Sequence, residues 1–381
     1  MAMTTEFANE ITDVAKAIYE YAELGSSEYK SSSYLVEAFK RHGFQVDFPY
    51  LGMKTAFKAR YFNGKPMVGL LAEYDALPNG HSCGHDLIAA WAFGTAIRLK
   101  DEFGISVTVF GTPSEEGIGE YAGSKAKFAQ SGAFSDVDYV IGMHPDDRWA
   151  VGSTSLADLT IEAQFIGKSS HLLSPDYGIN ALDPLVESYV ALSNFRRSVP
   201  NSKYPVIGMI VKEGGRASNV IPDKASMEID IRAKKKADLA GFVDQIERIL
   251  KMEGEMHYCK LNINEVTPIY DEYKSNRVID SLLEEECQKH AVNPFNVDRS
   301  GEEPMGSTDE ANVSQVIPTG HLDVKIVDPG IPAHTDEFRI AADPSRSGKT
   351  LLKAIDITVE TIKTIWQDKK FMNKIKEEFK K

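Results

Sequence analysis

The stretch HSCGHD at residues 81–86 holds the densest group of potential metal ligands in the chain. Cys83 and His85 are separated by a single glycine, so both side chains can turn toward one ion. Thiolate and imidazole together suit a borderline-soft divalent metal such as zinc. A lone Cys-x-His pair is more often a turn with a buried free cysteine, so the hypothesis of a metal site depends on further ligands elsewhere.

Two adjacent glutamates, Glu115 and Glu116, follow an apolar run and the turn at residues 111–114. Adjacent side chains on a loop point in different directions, so one carboxylate can bind a metal while the other accepts a proton from a bound water. Metal-assisted hydrolysis requires this division of labour. Taken alone, the pair would more often be a solvated acidic surface, and His144 and His334 are weak signals individually.

Considered together, these signals strengthen one another, because five side chains can supply nitrogen, sulfur and oxygen ligands. The candidate ligands are Cys83, His85, Glu116, His144 and His334. Five such ligands are enough for two metal ions with open coordination positions. Asp75 or Asp86 can orient a ligand imidazole by binding the ring nitrogen that faces away from the metal. Turn capping explains either aspartate equally well.

Three short apolar runs precede these ligands and predict parallel strands of an open α/β sheet. The runs occupy residues 67–72, 107–110 and 137–143, and each closes on ionisable residues. In such sheets the ligand crevice lies beyond the carboxyl ends of the strands. Helical periodicity predicts flanking helices near residues 8–46, 87–99 and 345–367. We therefore expect a mixed, largely parallel sheet flanked by helices, with the candidate ligands at one edge.

The pattern changes near residue 155, where alternating strands and two helices follow in the order β-α-β-β-α-β up to residue 266. That order is typical of the ferredoxin-like α+β arrangement. We predict a discontinuous catalytic domain formed by residues 1–155 and 268–381. An inserted, separate small domain is predicted to span residues 156–267.

Composition restricts the classes of partner. The net charge of −13 argues against nucleic acid, because phosphate binding needs a basic face. No apolar run approaches the roughly 18 residues needed to span a bilayer, and the N-terminal segment lacks the layout of a signal peptide. Three scattered cysteines do not predict a disulfide framework. We expect a cytoplasmic protein without membrane or nucleic-acid partners. A Rossmann-type nucleotide binder is excluded because no Gly-x-Gly-x-x-Gly follows the first strand.

In their order along nearly the whole chain, these motifs resemble peptidase family M20, which includes carboxypeptidase G, aminoacylase, hippurate hydrolase and the auxin amino-acid conjugate hydrolases. The resemblance runs from ELG at residues 23–25 and AEYDALP at 72–78 to PAHTDEF at 332–338. The His-x-Cys-Gly-His element is specific to the amidohydrolase branch, which has a cysteine where other members have a bridging aspartate. The resemblance implies that Glu115 is the general base and Glu116 a ligand. It also implies two divalent ions in each protomer, zinc as first choice, with manganese, cobalt or nickel as alternatives.

The inserted domain carries two further resemblances. GKSSH at residues 167–171 is similar to the lid motif whose histidine, here His171, reaches the active site, usually that of the other protomer, and polarises the scissile carbonyl. The stretch GGRASNVIP at residues 214–222, with Asn219, and Arg232 resemble the family's clamp for the substrate carboxylate, which arginine grips through two parallel hydrogen bonds. The resemblance thereby implies that residues 156–267 form a lid and dimerisation domain and that the rest of the chain forms a metallopeptidase-type catalytic domain. It also implies a homodimer or higher homo-oligomer through the lid domain. Without the resemblance, Arg232 would be interpreted as a surface strand residue and Asn219 as a turn residue.

Several stretches depart from the simplest amidohydrolase pattern. Leu87 and Ile88 stand where that branch usually has a second histidine, and Leu172 and Leu173 replace small residues of the lid motif. The stretch GSTDEANVS at residues 306–314 resembles the aminobenzoyl-glutamate hydrolase branch. It supplies Ser307 and Thr308 as candidate substrate contacts.

We therefore predict a metal-dependent hydrolase of N-acyl amino acids or dipeptides that carry a free carboxylate. One alternative is a dipeptidase or aminopeptidase, in which Glu302, Glu303 or Glu310 binds the substrate ammonium group. A non-catalytic metal- or amino-acid-binding protein is a second alternative, which Glu115 argues against. The remaining cysteines and several histidines are interpreted as structural: Cys259, Cys287, His42, His257, His290 and His321.

Overall fold

Two compact units make up the chain in the computed structural model, which describes residues 3–203, 205–304 and 306–381. The first unit comprises residues 1–154, 273–303 and 309–381, and the second comprises residues 155–272 and 304–308. The second unit is thus one continuous stretch plus the short segment 304–308, which is separated from that stretch by residues 273–303 of the first unit.

The strands are, in chain order, β1 (Gln45–Asp47), β2 (Phe57–Tyr61), β3 (Met67–Ala72), β4 (Ser106–Gly111), β5 (Tyr139–Asp146), β6 (Ala150–Val151), β7 (Ala157–Ile166), β8 (Ser170–His171), β9 (Val206–Glu213), β10 (Val220–Ile221), β11 (Lys224–Ala233), β12 (Lys260–Glu265), β13 (Phe295–Asn296) and β14 (Thr319–Lys325).

The helices are, in chain order, α1 (Thr5–Tyr21), α2 (Tyr29–Arg41), α3 (His85–Phe103), α4 (Ser124–Ser131), α5 (Leu182–Ser198), α6 (Lys236–Met256), α7 (Arg277–Lys289), α8 (Val297–Ser300), α9 (Glu310–Val316), α10 (Asp336–Ala342), α11 (Pro344–Gln367) and α12 (Lys369–Phe379). Short 3-10 turns lie at Pro175–Tyr177 and Asn201–Lys203. No helix in the described part of the chain is long and apolar enough to cross a membrane.

An eight-stranded sheet in the order β1-β2-β4-β3-β5-β14-β6-β13 forms the centre of the first unit. The pairs β4–β3, β3–β5 and β5–β14 are parallel, whereas β1–β2, β2–β4 and β14–β6 are antiparallel. β3 and β4 are buried along their whole length, as expected for parallel strands covered on both faces. The predicted mixed, largely parallel sheet is confirmed.

Two boundaries differ from the predictions in a way that matters for the site. β5 extends to Asp146, so that His144 lies inside the strand rather than after it. α3 begins at His85, two residues before the predicted start. Apolar periodicity did not predict this earlier start because the first turn of the helix consists of polar ligand-type residues.

α3 packs between the sheet and helices α1 and α11, and nearly all of its side chains are buried. A helix buried on all sides must be apolar all round, and the run LIAAWAFGTAI at residues 87–97 satisfies that requirement. Gly94 lies where the neighbouring helices approach most closely. A methyl group there would come within 2.7 Å of Ile355 Cδ1 and 2.8 Å of Ile11 Cδ1.

The second unit contains a four-stranded antiparallel sheet in the order β12-β7-β11-β9, with α5 and α6 packed against it. Its chain order β7-α5-β9-β11-α6-β12 confirms the predicted ferredoxin-like arrangement. Its long strands β7 and β11 alternate buried with partly exposed residues, because only one sheet face is covered by helices. The short strands β8 and β10 pair with each other separately.

We expect Gly94→Ala to destabilise the protein even though alanine is the better helix former. The close contacts with Ile11 and Ile355 should cost about 1–3 kcal/mol of unfolding free energy, more than the roughly 1 kcal/mol that helix propensity returns. Gly241→Ala is the matched control, because a methyl group at that position on α6 meets nothing within 4 Å. It should stabilise by about 0.5–1 kcal/mol. Urea denaturation at fixed metal concentration measures both effects, and a stabilised Gly94→Ala protein would contradict the packing argument.

Candidate metal centre and active site

The carboxyl ends of β3, β4 and β5 bring the candidate ligands together, because these strands are parallel neighbours. Asp75 follows β3, the loop with Glu115 and Glu116 follows β4, and His144 lies near the end of β5. The turn that leads into α3 supplies Cys83 and His85 above the same edge. The sheet therefore positions side chains from four separate segments in one place.

Cys83, His85 and His144 form the first group of candidate ligands. One ligand atom from each lies within 4.8 Å of the others, and Cys83 Sγ is 3.4 Å from His144 Nε2. Gly84 makes this approach possible: its backbone has a φ of +78°, and a Cβ would lie 2.8 Å from Pro145 Cγ. Glycine tolerates both the left-handed conformation and the close approach. The turn can consequently lie directly against β5.

Cys83, Glu116 and His334 form the second group, again with ligand atoms within 4.8 Å of one another. His334 Nε2 lies 3.3 Å from Glu116 Oε1. The backbone N–H of His334 donates to the carbonyl oxygen of Ser82 at 2.8 Å, which ties this distant segment to the ligand turn. Cys83 is common to both groups, so the arrangement can hold two ions that share one sulfur.

The carboxylate of Asp75 orients both groups. Its Oδ1 lies 2.9 Å from His85 Nδ1, and its Oδ2 accepts the backbone N–H of Glu116 at 3.1 Å. Burial alone would raise the pKa of Asp75, but the interactions with His85 outweigh burial and lower it. With Nδ1 donating to Asp75, His85 presents Nε2 as a ligand atom. His144 is fixed in the same sense, since its Nδ1 donates to the Pro145 carbonyl at 2.7 Å.

Asp86 occupies a different position from Asp75. Its carboxylate lies beside His81, with Oδ1 3.8 Å from His81 Nδ1, and both side chains are fully buried. Burial raises the pKa of Asp86 well above its usual range. His81 Nε2 donates to the carbonyl oxygen of Ile18 at 3.0 Å, and burial lowers the pKa of this imidazole to about 4. His81 and Asp86 thus form a buried pair beneath the ligand turn.

The chemistry of the donor set fits divalent metal ions. Burial opposes ionisation of Cys83, but His144 and His85 outweigh it and lower the pKa of the thiol to about 6, which favours the metal-binding thiolate at neutral pH. Three buried ligand atoms have no hydrogen-bonding partner among the described residues: Glu73 Oε2, His85 Nε2 and Glu116 Oε1. Buried polar atoms normally have partners, and a cation at each ligand group would satisfy these three.

Glu115 lies at the edge of this centre, with its Oε2 3.9 Å from His85 Nε2. Burial raises the pKa of Glu115 to about 8, against the opposing effect of Lys125. Glu28 holds the loop of Glu115 in place, because its Oε1 accepts the backbone N–H of Ser114 at 2.9 Å. Its Oε2 accepts the hydroxyl of Thr55 at 3.0 Å. Burial raises the pKa of Glu28 to about 7.

In the second unit, His171 lies on β8 and Asn219 immediately precedes β10, the short strand that pairs with β8. The Asn219 carbonyl accepts the backbone N–H of Leu172 at 3.0 Å. His171 is exposed, and its Nδ1 accepts the backbone N–H of Leu173 at 3.1 Å. A neutral imidazole whose Nδ1 accepts carries its proton on Nε2. His171 therefore presents an N–H donor outward.

Arg232 and Ser307 meet elsewhere in that unit, on the antiparallel sheet. Arg232 Nη2 donates to Asp230 at 2.9 Å, and Nε lies 3.4 Å from Asp158. Arg232 Nη1 faces Ser307 Oγ at 3.5 Å. Thr308 follows in the same segment, 304–308. Burial and the neighbouring Asp230 raise the pKa of Asp158 to about 6.

Residues considered for the alternative functions have partners of their own. Glu310 is buried and accepts from Tyr273 at 2.9 Å, with His321 Nδ1 also at 2.9 Å. Glu302 is exposed and pairs with Arg148. His42 pairs with Glu10, and His257 lies 3.1 Å from Glu187.

Four buried side chains near the centre were not predicted as site residues: Glu28, Glu73, Lys125 and Asp309. Glu73 follows β3 in the same way as Asp75, so the position rule that selected Asp75 applies to it equally. Lys125 offers no local signal, because it pairs with Glu73 and Asp309 from distant parts of the chain.

We expect Glu28→Gln to flatten the pH dependence of stability. The pKa of Glu28 rises from 4.5 to about 7 on folding. Its contribution to stability is therefore fully present below pH 4.5 and is lost as pH rises toward 7. The near-isosteric glutamine cannot ionise, so the variant should lack this loss. Urea denaturation between pH 4.5 and 7.5 at saturating metal checks the slope, and identical slopes for variant and wild type would contradict the expectation.

Comparisons with known proteins find related sequences and folds. A peptidase dimerisation domain matches residues 151–256. The chain is 28% identical to an Xaa-Arg dipeptidase of Mus musculus, over 98% of this chain and 91% of that relative. It is 31% identical to one of the p-aminobenzoyl-glutamate hydrolase chains of Escherichia coli strain K12, over 62% of this chain and 54% of that relative.

A solved structure from Bacillus subtilis, described as a dinuclear metal binding peptidase from the M20 family, has the same fold. Its TM-score is 0.64 at 18% identity, and the match covers 93% of this chain and 99% of that one. The similarity to the mouse relative extends over almost the whole chain and includes every segment that contributes a ligand. The resemblance inferred from the motifs is confirmed: the chain carries the peptidase dimerisation domain of family M20, and it is similar over almost its whole length to a dipeptidase.

Proposed function

We propose that this protein is a metal-dependent amidohydrolase that cleaves the amide bond of an N-acyl amino acid or dipeptide with a free carboxylate on the leaving amino acid. One observation carries the proposal: two groups of candidate metal ligands share Cys83, and the partly buried carboxylate of Glu115 lies beside them. A protein that only binds metal has no need for a carboxylate that can exchange a proton at this position. The relatives named for dipeptides and p-aminobenzoyl-glutamate support the substrate class.

The residues that would hold the ions are Cys83, His85 and His144 for one, and Cys83, Glu116 and His334 for the other. Ions held there would lower the pKa of a bound water and polarise the substrate carbonyl. The shared thiolate and the imidazoles favour zinc over harder ions, with manganese, cobalt and nickel as alternatives. Asp75 holds His85 in the required tautomer through the hydrogen bond at Nδ1.

Glu115 acts as the general base and then as the general acid. Its carboxylate accepts a proton from the attacking water and returns it to the nitrogen of the leaving amine. A carboxyl whose pKa is raised toward neutrality suits both steps, since it can hold and release a proton near the working pH. Glu28 and Asp75 keep this loop in place by binding the backbone N–H groups of Ser114 and Glu116.

The second unit supplies substrate contacts in this proposal. His171 donates its outward Nε2–H to the oxygen of the scissile carbonyl and stabilises the negative charge that develops there. Arg232 binds the carboxylate of the leaving amino acid through its Nη1 edge, with Ser307 and Thr308 beside it, and Asn219 adds a neutral donor.

A homodimer or higher homo-oligomer through the second unit is the proposed assembly. The match to a peptidase dimerisation domain supports it. β9 is an edge strand of the four-stranded sheet. Its residues Ile210 and Val211 are each about half exposed. An exposed apolar edge strand is a ready template for pairing with another chain.

A dipeptidase that prefers a basic C-terminal residue is the second candidate. Two carboxylates, Asp158 and Asp230, flank the single guanidinium of Arg232. With both carboxylates ionised, these three side chains carry a net negative charge. This charge would repel a leaving residue whose only charged group is its carboxylate. A lysine or arginine side chain on that residue would offset the excess. The mouse relative is named for dipeptides that end in arginine.

We expect Glu115→Gln to abolish turnover while two ions remain bound. Removing a general base should reduce kcat by a factor of about 10²–10⁴. The assay uses zinc-loaded protein and a panel of N-acyl amino acids, aminobenzoyl-glutamate and dipeptides that end in neutral or basic residues. Glu120→Gln is the matched control, because Glu120 is exposed on the same loop. Preference for basic C-terminal residues would favour the second candidate, and turnover by the Glu115→Gln protein would refute the base.

We expect His171→Ala to lose activity with normal metal content. Mixing it with Glu115→Ala protomers tests whether His171 acts across a dimer. If it does, a mixed dimer regains one complete site, and an equal mixture should recover about a quarter of wild-type activity. If the mixture stays inactive although mixed dimers form, His171 serves its own protomer. Full activity of His171→Ala alone would exclude any catalytic role.

A further inference from the structure

Lys125, near the start of α4, is a fully buried lysine that lies between two buried carboxylates. Its Nζ is 2.9 Å from Glu73 Oε1 and 2.5 Å from Asp309 Oδ1, and its backbone N–H donates to Asp309 Oδ2 at 2.9 Å. Burial opposes the charge on Lys125, but Asp309 and Glu73 outweigh it and hold its pKa well above the usual range. The lysine is therefore a fixed cation inside the first unit.

Buried ion clusters of this kind are weak evidence for a purely stabilising role, because desolvation of the charges offsets most of their mutual attraction. Apolar residues of similar volume would fill the same space at similar or lower free energy. The contacts of the cluster with the metal centre offer a functional reason for its presence.

Glu73 connects the cluster to the metal centre. Its Oε1 is taken by Lys125, whereas its Oε2 lies 3.4 Å from His85 Nε2. That oxygen is buried and has no hydrogen-bonding partner among the described residues. The side of His85 that faces Glu73 is the ligand side, since Asp75 occupies Nδ1. Ligand atoms of Glu73, His85 and Glu115 lie within 4.8 Å of one another.

We propose that Glu73 is an additional carboxylate ligand for the ion at His85, and that Lys125, itself held by Asp309, is the positioning residue that turns Oε2 of Glu73 toward that ion. The proposal rests on the proposed metal centre. It adds a hard oxygen ligand to a group that otherwise consists of one thiolate and two imidazoles. The two carboxylate oxygens of Glu73 then have different partners. Oε1 pairs with Lys125, and Oε2 is available to the ion.

The test measures metal binding by the full-length chain rather than hydrolysis. Metal-stripped protein is titrated with Zn²⁺ in the presence of a competing chelator, and with Co²⁺, whose spectrum reports on the thiolate of Cys83. Glu73→Gln should weaken the binding of one of the two ions by about 10–100-fold and leave the other unchanged. Glu286→Gln is the matched control, because Glu286 is a buried glutamate on α7 with a lysine partner. It should bind both ions as the wild type does.

A second variant tests the positioning role without changing the net charge of the cluster. Lys125→Met combined with Asp309→Asn removes one positive and one negative charge and keeps Glu73. It should weaken the same ion as Glu73→Gln, and circular dichroism checks that it folds. Wild-type affinity in this double variant would overturn the role of Lys125, and wild-type affinity in Glu73→Gln would overturn the proposal as a whole.

The test of Glu73 as a ligand and the test of the proposed hydrolase activity can fail independently of each other. A protein that hydrolyses no member of the substrate panel, yet loses one ion in Glu73→Gln, would support the ligand and refute the hydrolase. Hydrolysis by the wild type combined with unchanged metal binding in Glu73→Gln would do the reverse.

Discussion

The carboxylate of Asp75 is the constraint on which the arrangement of the site depends. It lies just beyond β3 and binds the start of α3 through His85 and the loop after β4 through the backbone of Glu116. Three separate segments between residues 75 and 116 meet at this one side chain. Because both of its oxygens are engaged, a shift of any one segment would disturb the two ligand groups together. The rigid, fully buried strands beneath it keep such shifts small.

The fold was largely predictable because its signals are local. The apolar runs at β3, β4 and β5 were visible in the sequence, as was the β-α-β-β-α-β order of the second unit, and the family resemblance was confirmed. The boundaries at His85 and His144 were not predicted correctly, because polar ligand residues occupy positions inside a helix and a strand where periodicity expects apolar ones. The division at residues 155 and 268 and the roles of the site residues stay predictions.

Three of the unpredicted residues, Glu28, Lys125 and Asp309, share one property: each can be recognised as a site residue only through partners far away in the chain. Lys125 and Asp309 are 184 residues apart, and nothing near either one distinguishes it from a surface charge. Glu28 supports the Ser114 loop from a distant helix start in the same way. Short-range patterns identify ligands that follow strands, whereas the buried charges that hold those ligands become visible only when the chain is folded.

Cys83 belongs to both ligand groups, and its thiol is held in a state that ionises near neutral pH. A thiolate is also the form that oxidants attack, and its products begin with a sulfenic acid. A carboxylate in the same place would be inert to such reagents. If both groups hold ions as proposed, a single oxidation at this sulfur would remove a ligand from both ions at once. The metal content would then depend on the redox state of the surroundings.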